Sequence, residues 1–391
     1  MSDLFAEQLQ ALRARSLDRH LREIGSAQGA IVDLVGQRLV NFSSNDYLGL
    51  ANDPRLRDAA IAAIREFGVG AGASRLISGT QSPHLRLEAA LAKWKGTPAA
   101  LCFSSGYAAA IGTLPALVTK NDVVLLDKLC HASLIDGAKL SGATLRVFPH
   151  NHLGKLESHL EWTKRERPNA RIVIVTESVF SMDGDRAPLR ELIELKKRFR
   201  AILLLDEAHA VGVIGPNGRG LAAEENVAND VDVQMGTLSK ALGASGGYIC
   251  GSRGLIEWMI NRARSFIFST APPPALAAAA TAALDFLSSR EGEERRQLLW
   301  RKIDMFARLL SEVSAKAVAA PASAIFPWIV GDEQAAVDLS HALMSEGSLV
   351  PAIRYPTVAK GSARLRIALS ASHEDAQIEA LRSTLRRLSP G

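Results

Sequence analysis

Two stretches decide how this chain is read: Ala201-Ile202-Leu203-Leu204-Leu205-Asp206-Glu207-Ala208-His209 and Val231-Asp232-Val233-Gln234-Met235-Gly236-Thr237-Leu238-Ser239-Lys240. In each, a short, mostly apolar run ends on polar groups. Such a run predicts a buried strand that delivers its last residues to one edge of a sheet. Strands are therefore expected over 201–206 and 231–235. The same signal recurs at 99–103, 123–127, 144–148, 171–177 and 247–250, with helical periodicity between most of these segments. Alternation of this kind specifies an α/β fold, here a mostly parallel seven-stranded sheet covered on both faces. The last segment follows Gly236–Gly246 too closely for a helical crossover, so it is expected to run antiparallel.

Outward from the sheet, Leu4, Leu9, Leu12, Leu17 and Leu21 give residues 4–24 the period of an amphipathic helix. Residues 31–35 and 38–42, around Gly36, read as a hairpin. Helices are expected over 55–67, with Leu56, Ala60, Ile64 and Phe67 on one stripe, and from Ser82 (N-cap) and Pro83 to Trp94. A long helix starts near Pro274. After 286 the pattern becomes helix, strand (324–330), helix (333–346), strand (365–369), helix, as in a smaller α+β domain. The expected organisation is an N-terminal arm and hairpin (1–50), a large domain (51–285) and a small C-terminal domain (286–391).

The 391 residues, 47% hydrophobic and 22% charged, suit a globular protein with a large core. The net charge of +5 is spread along the chain, and the basic cluster 196–200 ends a helix, where cations suit the dipole. No basic–aromatic stripe suggests nucleic acid. Cys102, Cys130 and Cys250 lie far apart in apolar contexts, which suits reduced thiols and a cytoplasmic location. The N-terminus has no apolar signal core, and the Ala-rich run 271–284 contains three prolines and is too short to span a bilayer.

The chemistry lies at the strand ends. Lys240 is followed by Gly243, Ala244, Ser245, Gly246 and Gly247, small residues that let the backbone approach a flat group. A partly desolvated lysine there is a nucleophile. Asp206, at the end of an apolar run, needs a cationic partner. Together with His209 and nearby hydroxyls these groups match what pyridoxal phosphate (PLP) requires: an amine for the imine and a carboxylate for the pyridine nitrogen. Ser104-Ser105-Gly106-Tyr107-Ala108 opens a helix after a strand, a place for phosphate. His131 could stack on a ring, and Ser181 could reach its oxygen. Gly68–Arg75 matches a dinucleotide pattern but follows a helix, so a close-packed loop is the better reading. Gly243–Gly247 matches a nucleophile elbow in the wrong context, leaving a serine hydrolase with Ser245 and His373 as the different-class alternative. His150, His152 and His159 lack a completing carboxylate or thiol and read as surface histidines, with no metal.

These motifs resemble a known family. Asn41-Phe42-Ser43-Ser44-Asn45-Asp46-Tyr47-Leu48-Gly49, Ser104–Gly106, His131–Ser133, Phe180–Asp185, Asp206–His209, Thr237–Lys240 and Arg364–Ile367 follow the order of the α-oxoamine synthases, PLP enzymes of the aspartate-aminotransferase fold (fold type I). The resemblance covers essentially the whole chain. It implies that Lys240 is joined to PLP and acts as base, that Asp206 pairs with the ring nitrogen, that His131 stacks on the ring, and that Ser181 and His209 sit on its oxygen side. Gly106, Tyr107 and Thr237 would serve the phosphate, and Thr270 the phosphate of the neighbouring subunit of a homodimer. Asn45 would lie near the reacting centre. Arg22 and Thr357 match substrate-contacting positions, and Arg366 the amino-acid carboxylate binder, with Arg354 near it. The branch most resembled joins L-alanine to a pimeloyl thioester, of CoA or of acyl carrier protein, releasing CO2. 2-Amino-3-ketobutyrate CoA ligase, 5-aminolevulinate synthase and serine palmitoyltransferase share the same chemical core. Ala73 and Ala210 stand where many members have Gly.

Overall fold

The computed structural model describes residues 2–313 and 321–388, with no account of the side chains of residues 2–4, Leu4 among them. The chain divides into two compact units. One holds residues 50–181 and 185–297, the other residues 1–49, 182–184 and 298–391. The arm and hairpin thus cluster with the C-terminal residues, and the chain passes from one unit to the other within the helix Arg290–Ser311.

The larger unit is built on seven strands in the order Ala99–Phe103, Gly247–Gly251, Val233–Thr237, Ile202–Asp206, Ile172–Glu177, Val123–Asp127, Thr144–Phe148. Gly247–Gly251 is antiparallel to both neighbours, as the short connection requires. The strands from Val233–Thr237 outward to Thr144–Phe148 pair in parallel. Val124, Leu126, Val173, Val175, Leu204, Val233 and Met235 form one layer of core with Ala109, Leu114, Leu134, Ala138 and Met259 of three helices. The intervening Val123, Leu125, Ile172, Ile174, Leu203 and Leu205 are buried as well, because helices cover both faces. The strand expected over 231–235 begins and ends two residues later, so Gly236 and Thr237 belong to it.

Several local expectations are corrected. The helix Ser82–Lys95 has Gln81, rather than Ser82, at its N-cap. The Gln81 carbonyl accepts the His84 N–H (3.0 Å), while the Gln81 N–H donates to His84 Nδ1 (3.1 Å). In Pro54–Phe67 the buried residues are Leu56 and Ala63, whereas Ile64 is exposed. The N-terminal helix ends at Arg13, because Ser16 adopts a left-handed backbone (φ 53°) and the Leu17 N–H bonds back to Leu12 O. Leu9, Leu12 and Leu21 are all exposed. In the loop expected to be close-packed, Gly68, Gly70 and Gly72 have open space where a Cβ would stand.

In the smaller unit, Ile325–Gly331, Ala363–Ala368 and Ala352–Ile353 form an antiparallel sheet, and the hairpin Ile31–Leu34/Gln37–Asn41 takes Ser348–Leu349 in parallel beside it. His373 locks these pieces together. Its Nδ1 accepts the Ser370 N–H (3.0 Å), its Nε2 faces Asn41 O (3.0 Å), and its ring stacks on Phe42. Both nitrogens are occupied, so His373 is no base for Ser245, which sits exposed in a loop that runs into a strand.

Burial, helped by Lys302, lowers the His373 pKa from 6.5 to about 4, against the opposing bond to Asn41. The unfolded chain therefore binds a proton between pH 6.5 and 4 that the folded protein refuses. Stability is full above about pH 6.5 and falls as pH drops toward 4, by up to roughly 3 kcal/mol from this group. Urea unfolding across that window should give a flatter profile for His373→Gln than for wild type. Parallel profiles would contradict the assignment.

Candidate active site

The parallel strands carry their chemistry at their C-terminal ends, the edge where open α/β sheets bind ligands. Glu177 and Asp206 are the last residues of adjacent strands and are register partners, so their side chains share one face. Asp206 is in turn the partner of Met235. Gly106, Tyr107, His131, Ser133, Glu177, Asp206, His209, Gly236, Thr237 and Lys240 line one cavity of about 160 Å³ in the larger unit.

Both carboxylates are buried. Burial, reinforced by the Asp206 charge and opposed by Lys240, pushes the Glu177 pKa up to about 8. Burial also raises Asp206, again against Lys240. Two like charges in register cannot both ionise cheaply without a cation between them. Asp206 Oδ1 accepts the Ala208 N–H (2.9 Å), and Glu177 accepts the amides of both His131 and Ser181. Glu177 was not singled out from the sequence. A glutamate at a strand end looks ordinary until register sets it opposite Asp206.

Lys240 Nζ lies 2.7 Å from His209 Nε2. The lysine loop is held by Thr237 Oγ1 on Gly246 O (2.9 Å) and by Gly243, whose left-handed backbone (φ 64°) stands so close to Leu50 that a Cβ would lie 2.4 Å from its carbonyl carbon. His131 caps the helix Ala132–Leu140, with Nδ1 2.8 Å from Ser133 Oγ. Its ring is exposed to the cavity, while the desolvating wall and then the Lys240 charge lower its pKa. Ser105 Oγ caps the helix Gly106–Leu117 by accepting the Ala108 N–H, and the Gly106 and Tyr107 amides of that first turn have no intrahelical acceptor. The Tyr107 hydroxyl donates to Asp136 (2.8 Å).

Within the Asp206–His209 motif, Glu207 points elsewhere. It is fully buried, pairs with the buried Lys95 and accepts the Ala222 N–H (3.0 Å), and Lys95 also donates to Arg219 O (2.5 Å). The rear pair therefore fixes the turn from which Asp206 and His209 reach the cavity.

The remaining expected residues are not among those that line this cavity. Ser181 is buried beside Glu177 and does not line it. Thr270 pairs with Ser74 across an isolated bridge. Arg22, Asn45, Arg354, Thr357 and Arg366 all belong to the smaller unit. There Arg366, buried, donates to Asn45 Oδ1 (3.0 Å) and Tyr47 Oη (3.3 Å). Arg354 holds the Ser16 and Asp18 carbonyls, while Arg22 and Thr357 are exposed. Of the three histidines expected at the surface, His152 is exposed, whereas His150 is half-buried and His159 buried. His150 is held between two aspartates, and His152 caps the helix Leu153–Glu166.

Residues 37–385 match the family described as aminotransferase class I and II. The chain belongs to that family. The chain is 46% identical over 388 residues to an 8-amino-7-oxononanoate synthase of Geobacter sulfurreducens, covering 99% of this chain and 98% of that protein. A protein of the same name from Anaeromyxobacter dehalogenans is 48% identical, covering 99% and 96%. Among solved structures, serine palmitoyltransferase of S. paucimobilis with bound PLP–myriocin superposes with a TM-score of 0.92 at 30% identity, covering 99% of this chain and 96% of that one. The chain is thus an α-oxoamine synthase of PLP fold type I, an acyl-transferring enzyme whose cofactor is PLP.

The cavity fits that cofactor. Asp206, buried in register beside Glu177, could hold a protonated ring nitrogen. A free helix N-terminus suits a phosphate, and a lysine stands within the same walls. The fit depends on the Asp206–His209 turn, which rests on the Lys95–Glu207 pair. Lys95→Met should destabilise the protein by roughly 3–5 kcal/mol in urea, because it strands a buried charge. Adding Glu207→Gln should recover much of that loss, and a cost below about 1 kcal/mol for the single variant would show that the pair does not hold the turn.

Proposed function

We propose that this enzyme condenses L-alanine with pimeloyl-CoA, or the pimeloyl thioester of acyl carrier protein, releasing CO2 and the thiol carrier to give 8-amino-7-oxononanoate for biotin biosynthesis. The observation that carries the reading is near full-length identity of 46–48% with 8-amino-7-oxononanoate synthases, on a chain that sets Lys240 beside His209 and Asp206 in one cavity.

PLP, when bound, withdraws electrons from the α-carbon of the amino acid attached to it. The protein's own groups supply the rest. Lys240 Nζ takes the α-proton and later returns one, a general-base role worth roughly 10²–10⁴-fold, with His209 Nε2 at 2.7 Å to share the proton. Asp206 would hold the ring nitrogen in its protonated form, and Glu177, in register beside it, orients His131 and Ser181 through their amides. By the family resemblance, His131 would hold the ring and His209 its oxygen side, with Ser181 behind them, buried beside Glu177. The Gly106 and Tyr107 amides and Thr237 would hold the phosphate. By the same resemblance, Arg366, which donates to Asn45 and Tyr47, would bind the amino acid's carboxylate, and Arg354, Arg22 and Thr357 would serve the substrate.

A homodimer belongs to this proposal. Val69, Ile77 and Phe268 are 76%, 81% and 71% exposed, and the loops that carry them meet where Ser74 pairs with Thr270. An apolar surface of this kind favours a second copy, with Thr270 reaching the neighbour's phosphate. Three buried, free cysteines suit a cytoplasmic location, and among the described residues no helix is long and apolar enough to cross a membrane.

L-Alanine should change the visible spectrum of the holoenzyme at lower concentration than glycine or L-serine, and thiol release should be fastest with pimeloyl-CoA. Faster turnover of glycine with acetyl- or succinyl-CoA, or of serine with palmitoyl-CoA, would place the enzyme in another branch.

A further inference from the structure

Three neighbouring strands, Ile172–Glu177, Val123–Asp127 and Thr144–Phe148, end beside one another. The loops that follow the first two carry Ser181 and His131. The loop after the third carries His150 and Asn151 and contributes nothing to the cavity lining.

His150 bridges the other two loops. Its Nδ1 lies 3.1 Å from Asp127 Oδ1 and its Nε2 2.7 Å from Asp185 Oδ2. A neutral imidazole has a single N–H and can satisfy only one carboxylate, so two carboxylate partners require the imidazolium. Burial alone would lower its pKa, but Asp127 and Asp185 outweigh that and raise it to about 10. The buried Asp127 also takes the Leu129 N–H (2.8 Å) and the Asn151 N–H (2.8 Å). Asn151 Nδ2 donates to Asp185 Oδ2 (3.2 Å) and Arg186 O (3.1 Å). The backbone of Asp185 receives the Phe180 N–H (3.0 Å), and the edge of Phe180 packs on His150 with centroids 4.3 Å apart. Leu129 lies two residues before His131, and Phe180 immediately precedes Ser181.

We infer that Asp127, His150, Asn151 and Asp185 form a charged clasp that positions the loop of His131, which lines the cavity, and the loop of Ser181 beside it, one layer outside Glu177. These are positioning residues. Glu177 ties the amides of His131 and Ser181 from inside the cavity, and the clasp ties the same two loops from behind. With the clasp intact, the ring-facing loops cannot drift apart. Without its central cation, Asp127 and Asp185 lose their direct bridge, and only Asn151 from behind and Glu177 from inside still tie the loops. The inference rests on the PLP reading of the cavity.

The test uses purified holoenzyme and two readouts: the visible circular dichroism of bound PLP and the rate at which PLP is lost to a trapping apoprotein. His150→Gln removes the charge and one of the two donors. Asp185→Asn leaves the buried Asp127 contacts in place and alters only a partly exposed carboxylate, so it decides by the same readouts should His150→Gln not fold. Arg198→Ala, which breaks the exposed Arg198–Glu157 pair, is the control for a small general loss of stability. The expected result is a weaker visible dichroic band and PLP loss about 10-fold faster in either clasp variant, with the control unchanged. A clasp variant that keeps the wild-type band and release rate, whatever its melting temperature, overturns the clasp. A wild-type protein with no visible band would instead sink the PLP reading itself.

Discussion

Two buried carboxylates in register, with a single lysine reaching the same cavity, are the constraint around which the larger unit is arranged. Glu177 and Asp206 end adjacent parallel strands, where both side chains must share a face and are almost wholly withdrawn from water. An all-apolar pair there would be cheaper to fold. The arrangement becomes favourable when a cationic ring occupies the cavity, so the fold stores at its strand ends a demand that the cofactor meets. Strain of this kind, kept at a functional site and supported by surrounding structure, is a common design in enzymes.

Much of the surrounding structure serves that demand. The Lys95–Glu207 pair pins the turn behind Asp206, and Gly243 lets the lysine loop close onto Leu50. Glu177 spends its hydrogen-bonding capacity on two amides rather than on a cation. The smaller unit prepares a different chemistry. A buried arginine, Arg366, donates to Asn45 and Tyr47, an arrangement suited to a carboxylate. Members of the family that differ in acyl substrate can share all of these parts, which is why the lysine and its carboxylates identify the reaction better than they identify the acyl chain.

The sheet, its one antiparallel strand and the Asp206/His209/Lys240 set were legible in the sequence, because each is written locally: an apolar run, a polar terminus, a connection too short for a helix. The rest depends on separations that no local pattern records. His150 meets Asp127 across 23 residues and Asp185 across 35, so from sequence it resembles any loop histidine. Glu177 gains its meaning only from register. The leucine stripe of residues 4–24 has a genuine helical period, but Ser16 ends the helix early and Leu9 and Leu12 stay exposed. The positions of Arg22, Arg354, Thr357 and Arg366 came from family resemblance rather than from any signal in their own neighbourhoods.

The central claim is that the amine of Lys240 is where the cofactor is joined. Borohydride reduction of the holoenzyme, followed by proteolysis and mass mapping, tests it directly. The account predicts one pyridoxyl-phosphate mass per chain, on the peptide containing Lys240 and on no other lysine. A label on Lys95, Lys302 or any other residue, or no label on a protein that shows bound PLP, would contradict it.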